Sequence, residues 1–376
     1  MLSNDLMNTK RVLLMYITEV SGHHQATLAI EKSLKVVDPH LPIMNINGFG
    51  YTYPKIEKIV NKAYMGIIKK TPKIWDYLYD NPKVAKSIQS LREAVYKSSH
   101  AKFRKLLNQF KPDIVVCTQA FPCGMVADYK KTYHLPIKVV GVLTDYAPHS
   151  YWIHEGVDYY VVPSEDTGDI LAKKGVEKNR IKPFGIPVDQ KFTKKLDKTL
   201  IFKKLGLDSR LPVVLIMGGG QGLGPIKDAV KSLLDVKTNF QLIVVAGINK
   251  KLIKWLKKMQ NQSSKNLIVL EYVNNIEELM EVATLIVTKP GGMTTAEALT
   301  KNLPMAVIKP IPGQEMHNTD FLLKKGVAIR VNRLEAVGAD IALLLEDSQR
   351  LLRMRRAAEE NSKPNSSSDI AKLILQ

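Results

Sequence analysis

Two stretches of the chain repeat one pattern of apolar and polar positions. Residues 11–37, RVLLMYITEVSGHHQATLAIEKSLKVV, begin with a continuous apolar run and pass through a loop carrying Ser21-Gly22. Ala26, Ala29, Ile30, Ser33, Leu34 and Val37 then recur at i, i+3, i+4, i+7 spacing, which predicts a helix with one apolar face. Residues 212–234, PVVLIMGGGQGLGPIKDAVKSLL, do the same around a glycine loop. A short continuous apolar run marks a strand buried on both faces, so each stretch predicts the opening unit of a parallel α/β sheet. Further runs follow at 113–118, 137–144 and 158–164 in the first half, and at 241–247, 266–272, 283–289 and 305–310 in the second. The segment PFGIPVD, 183–189, and the lysine-rich stretch Lys191 to Lys204 punctuate the two halves. The pattern predicts two Rossmann-like parallel-sheet domains, residues 1–188 and 189–350. A helical tail over 351–376 is expected to pack back on the first.

Length and cysteine usage narrow the class. A chain of 376 residues buries a sizeable core without cross-links. Its two cysteines, Cys117 and Cys123, exclude a disulfide scaffold and a four-thiolate zinc site; with no histidine at ligand spacing they read as buried free thiols. No apolar run approaches the roughly 18 residues of a membrane span. The run Val12 to Ile17 lacks the cleavage site of a signal peptide, so the expectation is an intracellular protein.

Charge changes the picture. Lys plus Arg number 55 against 36 Asp plus Glu, a formal net charge of +19, which implies acidic partners: nucleic acid, an anionic membrane or phosphorylated small molecules. From Lys55 to Lys111 there are 14 basic residues against four acidic ones, interleaved with Tyr64, Trp75, Tyr77, Tyr79, Tyr96 and Phe103. That mixture suits a membrane interface, or equally a solvated helical face around aromatic core residues. The run Lys250, Lys251, Lys254, Trp255, Lys257, Lys258 reads as a solvated face that could also meet anionic headgroups.

Two segments carry chemistry. Gly218, Gly219 and Gly220 follow a strand and precede a helix, where backbone N–H groups can approach a phosphate. The run is neither G-x-G-x-x-G nor a Walker loop, and a plain tight turn is the competing reading. In TKPGGMTTAEALTKNLP, 288–304, a strand gives way through Pro290-Gly291-Gly292 to a helix that Thr294 or Thr295 could cap, with Glu297 one turn in. That helix N-terminus suits a diphosphate, and the carboxylate there can accept the hydroxyls of a ribose or merely complement the helix dipole. His149 and His154, five apart, do not have the i, i+4 spacing of helix-borne metal ligands.

PGGMTTAEAL followed by PIPGQEMHNTDFL at 310–322 resembles the nucleotide-sugar signature of GT-B glycosyltransferases of the bacterial glycolipid branch. SGHHQATLAI at 21–30 and VLTDYAPHSYWIHEGVDYYVVPSE at 142–165 resemble the N-terminal loop and acceptor-domain segment of that branch. The four motifs stand in the family's order over about residues 11–330. The chain thus resembles the monogalactosyldiacylglycerol synthases and processive diacylglycerol glucosyltransferases. The resemblance implies a GT-B fold, two Rossmann-like domains facing across a cleft, and an inverting enzyme that moves a hexose from a UDP-sugar to diacylglycerol. Glucose is favoured over galactose. The first domain would bind acceptor and anionic membrane lipids, placing the protein in the cytoplasm on the inner face of the cell membrane.

Residue by residue, it implies that Glu297 holds the ribose and that Gln314 and Glu315 hold the sugar hydroxyls, with Asn318 following. Gly291, Gly292, Met293 and Thr294 would meet the diphosphate, faced by Gly218 to Gly220. His23 in the Gly22-His23 pair would be the base, with Asp145 as the alternative, and His149 and Trp152 would lie on the acceptor side. His24 leaves open which histidine only packs. No Asp-x-Asp motif is present, so neither metal nor other cofactor is expected. Two alternatives stand beside this reading. One is a GT-B enzyme with another lipid acceptor, such as a polyprenyl-linked muropeptide. The other is a non-catalytic basic protein that binds membrane or nucleic acid, although no nucleic-acid motif appears.

Overall fold

The structure, a computed structural model, describes residues 10–53 and 89–376. The basic, aromatic stretch beginning at Lys55, with Tyr64, Trp75, Tyr77 and Tyr79, lies outside the described residues until position 89. Within them, Tyr96 and Phe103 are buried among core residues. The described residues form two compact units, one of those up to Gln190 together with 365–376, the other of residues 191–364.

The first unit is built on a six-stranded parallel sheet of β1 (Val12–Tyr16), β2 (Ile43–Asn47), β3 (Ile114–Cys117), β4 (Lys138–Val142), β5 (Tyr159–Val161) and β6 (Ile181–Lys182), in the order β2-β1-β3-β4-β5-β6. The central strands β1 and β3 are apolar throughout because both faces are covered. Leu13, Met15, Val115 and Cys117 face one layer of helices, and Val12, Leu14, Ile114 and Val116 face the other. Cys117 and Cys123 are both free and buried, and burial pushes the Cys117 thiol well up, with Cys123 adding to the effect.

The second unit repeats the design with β7 (Val213–Met217), β8 (Gln241–Val245), β9 (Leu267–Leu270), β10 (Leu285–Thr288), β11 (Met305–Ile308) and β12 (Ala328–Val331), ordered β12-β11-β10-β7-β8-β9 and parallel. All seven further strands that the apolar runs predict form where expected. The apolar periodicity gives no sign of β2, β6 and β12. These are edge strands, half-buried or very short, and carry no continuous apolar run.

Three details differ from the sequence expectations. Val37 ends the Gly22–Val37 helix 57% exposed beside Val36 at 67%, because the helix's buried face stops at Leu34. The junction falls after Gln190 instead of residue 188. The tail is divided: Leu351 and Met354 of the Ser348–Glu360 helix join the core of the second unit. The Ser366–Leu375 helix instead packs on the Gly22–Val37 helix and buries Ile370, Ala371 and Ile374 completely. Val188 N–H donates to Ser366 Oγ at 3.2 Å, and Ser367 Oγ donates to the Val188 carbonyl at 2.7 Å, which pins the returning chain.

Candidate active site

The loop after β1 sets the two histidines in different environments. Ser21 is the N-cap of the Gly22–Val37 helix, accepting from His24 N–H at 3.2 Å while its hydroxyl donates back to the Thr18 carbonyl at 2.6 Å. Thr18 takes a left-handed φ of 66° to make this turn, a strained choice for a β-branched residue where glycine would be at ease. His24 then stacks on Tyr16, with ring centroids 4.1 Å apart, and its Nδ1 donates to the Glu19 carbonyl at 2.7 Å. It packs.

His23 turns the other way. Its Nδ1 lies 2.8 Å from the carbonyl oxygen of Thr118 at the end of β3, and Thr144 Oγ1 is 3.2 Å from the same nitrogen. A carbonyl only accepts, so Nδ1 carries the proton and Nε2 keeps its lone pair. Burial lowers the imidazole's pKa, while the charge of Asp145 and the Thr118 carbonyl act to raise it. The ring is thereby a neutral base over a wider range than a solvated histidine, with a carboxylate near enough to favour its protonated form. Thr118 Oγ1 also donates to the His23 carbonyl at 2.9 Å, clamping the residue twice.

The other first-unit residues divide. Gly22 is exposed at the first helical position. His149 is half-buried with its ring against Tyr151 and Trp152, at centroid distances of 5.4 and 6.3 Å. Trp152 is 5% exposed and belongs to the core, above Gly141. His154 lies 3.0 Å from the Tyr151 carbonyl through Nε2.

In the second unit the glycine loop is held by close backbone approach. A Cβ on Gly222 would stand 2.0 Å from the Ala246 oxygen, and Gly222 has a φ of +58°. Ile248 N–H donates to the Gly220 carbonyl at 3.0 Å, and Asn249 Nδ2 to the Gly222 carbonyl at 3.1 Å. Gly218 is crowded in the same way by Leu223, whereas Gly219, φ +70°, faces open space.

The turn after β10 leads into the Gly292–Thr300 helix, whose N-cap is Gly291. This corrects the expected threonine cap: Thr294 and Thr295 lie inside the helix, and Thr295 is buried. No side-chain hydrogen bond caps the end, so the first-turn N–H groups around Gly292, Met293 and Thr294 have no side-chain cap. Glu297 is half-buried on the next turn.

Two side chains from the Gln314–Lys324 helix tie down this turn. Asn318, fully buried, donates through Nδ2 to the Pro290 carbonyl at 2.9 Å. Glu315, 8% exposed, accepts from Lys289 Nζ at 2.9 Å and from Ile311 N–H at 2.8 Å. Gln314 precedes it, half-buried, at the first helical position.

Three contributors were not singled out by the motifs. Thr118 and Thr144 position His23 from strand ends far along the chain. Lys289, inside the quoted motif, joins Glu315 and passes its stem over Gly224 of the glycine loop. The lysine immediately before Pro-Gly-Gly was the available signal.

Comparison with known proteins places these units. The family model for monogalactosyldiacylglycerol (MGDG) synthase matches residues 23–188, and that for the glycosyltransferase family 28 C-terminal domain matches residues 213–374. The chain is 31% identical to the processive diacylglycerol beta-glucosyltransferase of Bacillus cytotoxicus, over 99% of its own length and 95% of the relative's. The protein of the same description from Bacillus mycoides is also 31% identical, over 98% and 94%. Among solved structures, MurG of Acinetobacter baumannii superposes with a TM-score of 0.63 at 14% identity, covering 97% of this chain and 99% of that one. Anabaena Alr3699/HepE in complex with UDP-glucose gives 0.57 at 13%, with the same coverage. These likenesses identify the GT-B fold. With near-complete coverage by its bacterial relatives, the chain belongs to the monogalactosyldiacylglycerol synthase and processive diacylglycerol glucosyltransferase family, and it is a glycosyltransferase.

Proposed function

We propose that this enzyme transfers glucose, in preference to galactose, from a UDP-sugar to diacylglycerol with inversion, at the cytoplasmic face of the membrane and without a metal ion. The observation that carries the reading is the hydrogen bond from His23 Nδ1 to the Thr118 carbonyl, which leaves Nε2 as the proton acceptor. Nε2 takes the acceptor hydroxyl's proton as that oxygen attacks the sugar C1. The bond from C1 to the diphosphate oxygen breaks, and UDP departs with its electron pair. Asp145 stabilises the imidazolium that forms, and general-base help of this kind is worth about 10²–10⁴-fold.

On the donor side, Glu297 takes the ribose hydroxyls. The Gly218–Gly220 loop and the first turn at Gly292, Met293 and Thr294 meet the diphosphate, whose growing charge the helix N-terminus and the nearby Lys289 offset. Gln314 and Glu315 hold the hexose; each Glu315 oxygen has one internal partner and a second lone pair for a hydroxyl. Relatives described as beta-glucosyltransferases support inversion, since UDP-glucose is α-linked. The basic chain, net charge +19, supports reversible attachment to anionic lipid, and among the described residues no helix is long and apolar enough to cross a membrane.

The test offers the purified protein diacylglycerol in anionic vesicles with UDP-glucose or UDP-galactose and no added metal. Glycolipid from UDP-glucose is the expected result. UDP binding without product from either donor would refute the acceptor assignment, and absence of UDP binding would refute the donor site.

A further inference from the structure

The second unit carries a lysine strip that its fold and donor site do not require. Lys250, Lys251, Lys254, Lys257 and Lys258 lie on the Lys250–Gln262 helix; at 100° per residue they occupy about one third of its circumference. All five are exposed, opposite Leu252, Ile253 and Leu256, which bury against the sheet. The strip continues across the seam to the Ile226–Asp235 helix. There Lys227 and Lys231, one turn apart, place their ammonium groups 5.5 and 6.0 Å from the centroid of Trp255.

These charges are largely uncompensated. Lys257 pairs with Glu271 at 3.3 Å. No carboxylate lies within ion-pair distance of the other six among the described residues, although Asp228 and Asp235 share the helix with Lys227 and Lys231. Like charges at i, i+4 oppose one another, so Lys227 with Lys231, Lys250 with Lys254, and Lys254 with Lys258 each weaken the helix that bears them. Two cations on one ring concentrate charge further, and a nearby layer of anions relieves that repulsion. The strip also starts at the donor loop: Asn249, which caps the lysine helix, donates to the Gly222 carbonyl.

We infer that this two-helix face docks on an anionic membrane surface, giving the nucleotide-sugar unit its own attachment to the bilayer. The choice of lipid over nucleic acid rests on the proposed reaction with a lipid acceptor. It also rests on Trp255, which is held half-buried under Lys227 and Lys231, where it is not splayed out for a base to stack upon. Attachment through ammonium groups without an inserted aromatic is shallow and salt-sensitive.

The test compares the full chain with a variant carrying Lys227→Gln, Lys251→Gln, Lys254→Gln and Lys258→Gln. All four side chains are exposed, and thermal unfolding confirms that the variant folds. Co-sedimentation with phosphatidylglycerol–phosphatidylcholine vesicles at low salt is the readout. A lysine near an anionic surface is worth about fivefold in affinity, so the variant should bind at least about 10²-fold more weakly, with a shallower dependence on salt. Unchanged vesicle binding would overturn the inference. So would a variant that keeps its vesicle affinity but loses affinity for a DNA duplex, which would assign the face to nucleic acid. UDP binding, measured on the same preparations, separates this inference from the donor reading. If the strip governs vesicle binding and UDP does not bind, the docking face stands and the donor site falls.

Discussion

Gly219 and Gly222 belong to one loop, yet alanine should affect them in different ways. Both have left-handed φ values, +70° and +58°, so either alanine costs about 1–2 kcal/mol for that conformation. At Gly219 nothing lies within 4 Å of the added methyl, and the cost ends there. At Gly222 the methyl would sit 2.0 Å from the Ala246 oxygen, forcing the turn after β8 to move by about 1 Å or more. That movement strains the bonds from Ile248 N–H to the Gly220 carbonyl and from Asn249 Nδ2 to the Gly222 carbonyl, each worth about 0.5–1.5 kcal/mol. The total for Gly222→Ala is about 2–5 kcal/mol. In a unit of this size 1 kcal/mol shifts Tm by about 2–4 °C. Calorimetry should therefore show a drop of about 5–15 °C for Gly222→Ala against about 2–6 °C for Gly219→Ala. Titration with UDP supplies the second readout: Gly219→Ala, the less destabilised of the two, should lose about tenfold in affinity because its methyl occupies the open side of the loop. Equal destabilisation by the two alanines would refute the close-approach argument. Full UDP affinity in Gly219→Ala would refute the loop's place in the donor site.

Other outcomes follow from the same geometry. His23→Ala should lower turnover by about 10²–10⁴-fold, whereas His24→Ala should change kcat by less than about tenfold; equal losses would undo their separation. Burial lowers the His23 pKa, so the acid limb of kcat/KM should lie below about pH 6.5, and Asp145→Asn, which removes an influence raising it, should move the limb lower still. For the same reason the His23 contribution to folding stability should decline as pH falls below about 6.5, where the unfolded chain binds a proton that the folded ring resists. Lys289→Met leaves Glu315 buried without its cation and should cost about 3–5 kcal/mol in chemical denaturation, most of it recovered in Lys289→Met/Glu315→Gln. Thr18→Gly should raise stability by up to about 1 kcal/mol with activity retained, since it relieves a left-handed threonine; a loss of stability would show that the threonine side chain earns its place.

Much of the fold was legible because parallel strands buried on both faces leave continuous apolar runs, as in VLLMY and VVLIM. The edge strands IMNIN and AIRV were not, because half-burial admits asparagine and arginine and breaks the run. The linear motifs pointed to Glu297, Gln314, Glu315 and His23 as candidates. Spacing alone could not separate His23 from His24, since what divides them is Tyr16 on one side and Thr118 and Thr144 on the other, contacts made only on folding. Asn318 and Glu315 show a related limit. A motif groups residues with shared sequence neighbours, whereas here each also secures the Lys289-Pro290 turn from another helix.

The Ser366–Leu375 helix closes the first unit only after the chain has passed through the whole of the second. During synthesis, the face of the first sheet formed by Val12, Leu14, Ile114 and Val116 therefore waits without Ile370, Ala371 and Ile374 until about 175 further residues have been made. At about 5–20 residues per second that interval lasts roughly ten to thirty seconds, with apolar surface open to chaperones or to a second nascent chain. Deleting the last dozen residues should make this condition permanent. The expected consequence is aggregation on expression, even though every residue of both motif-bearing loops remains present.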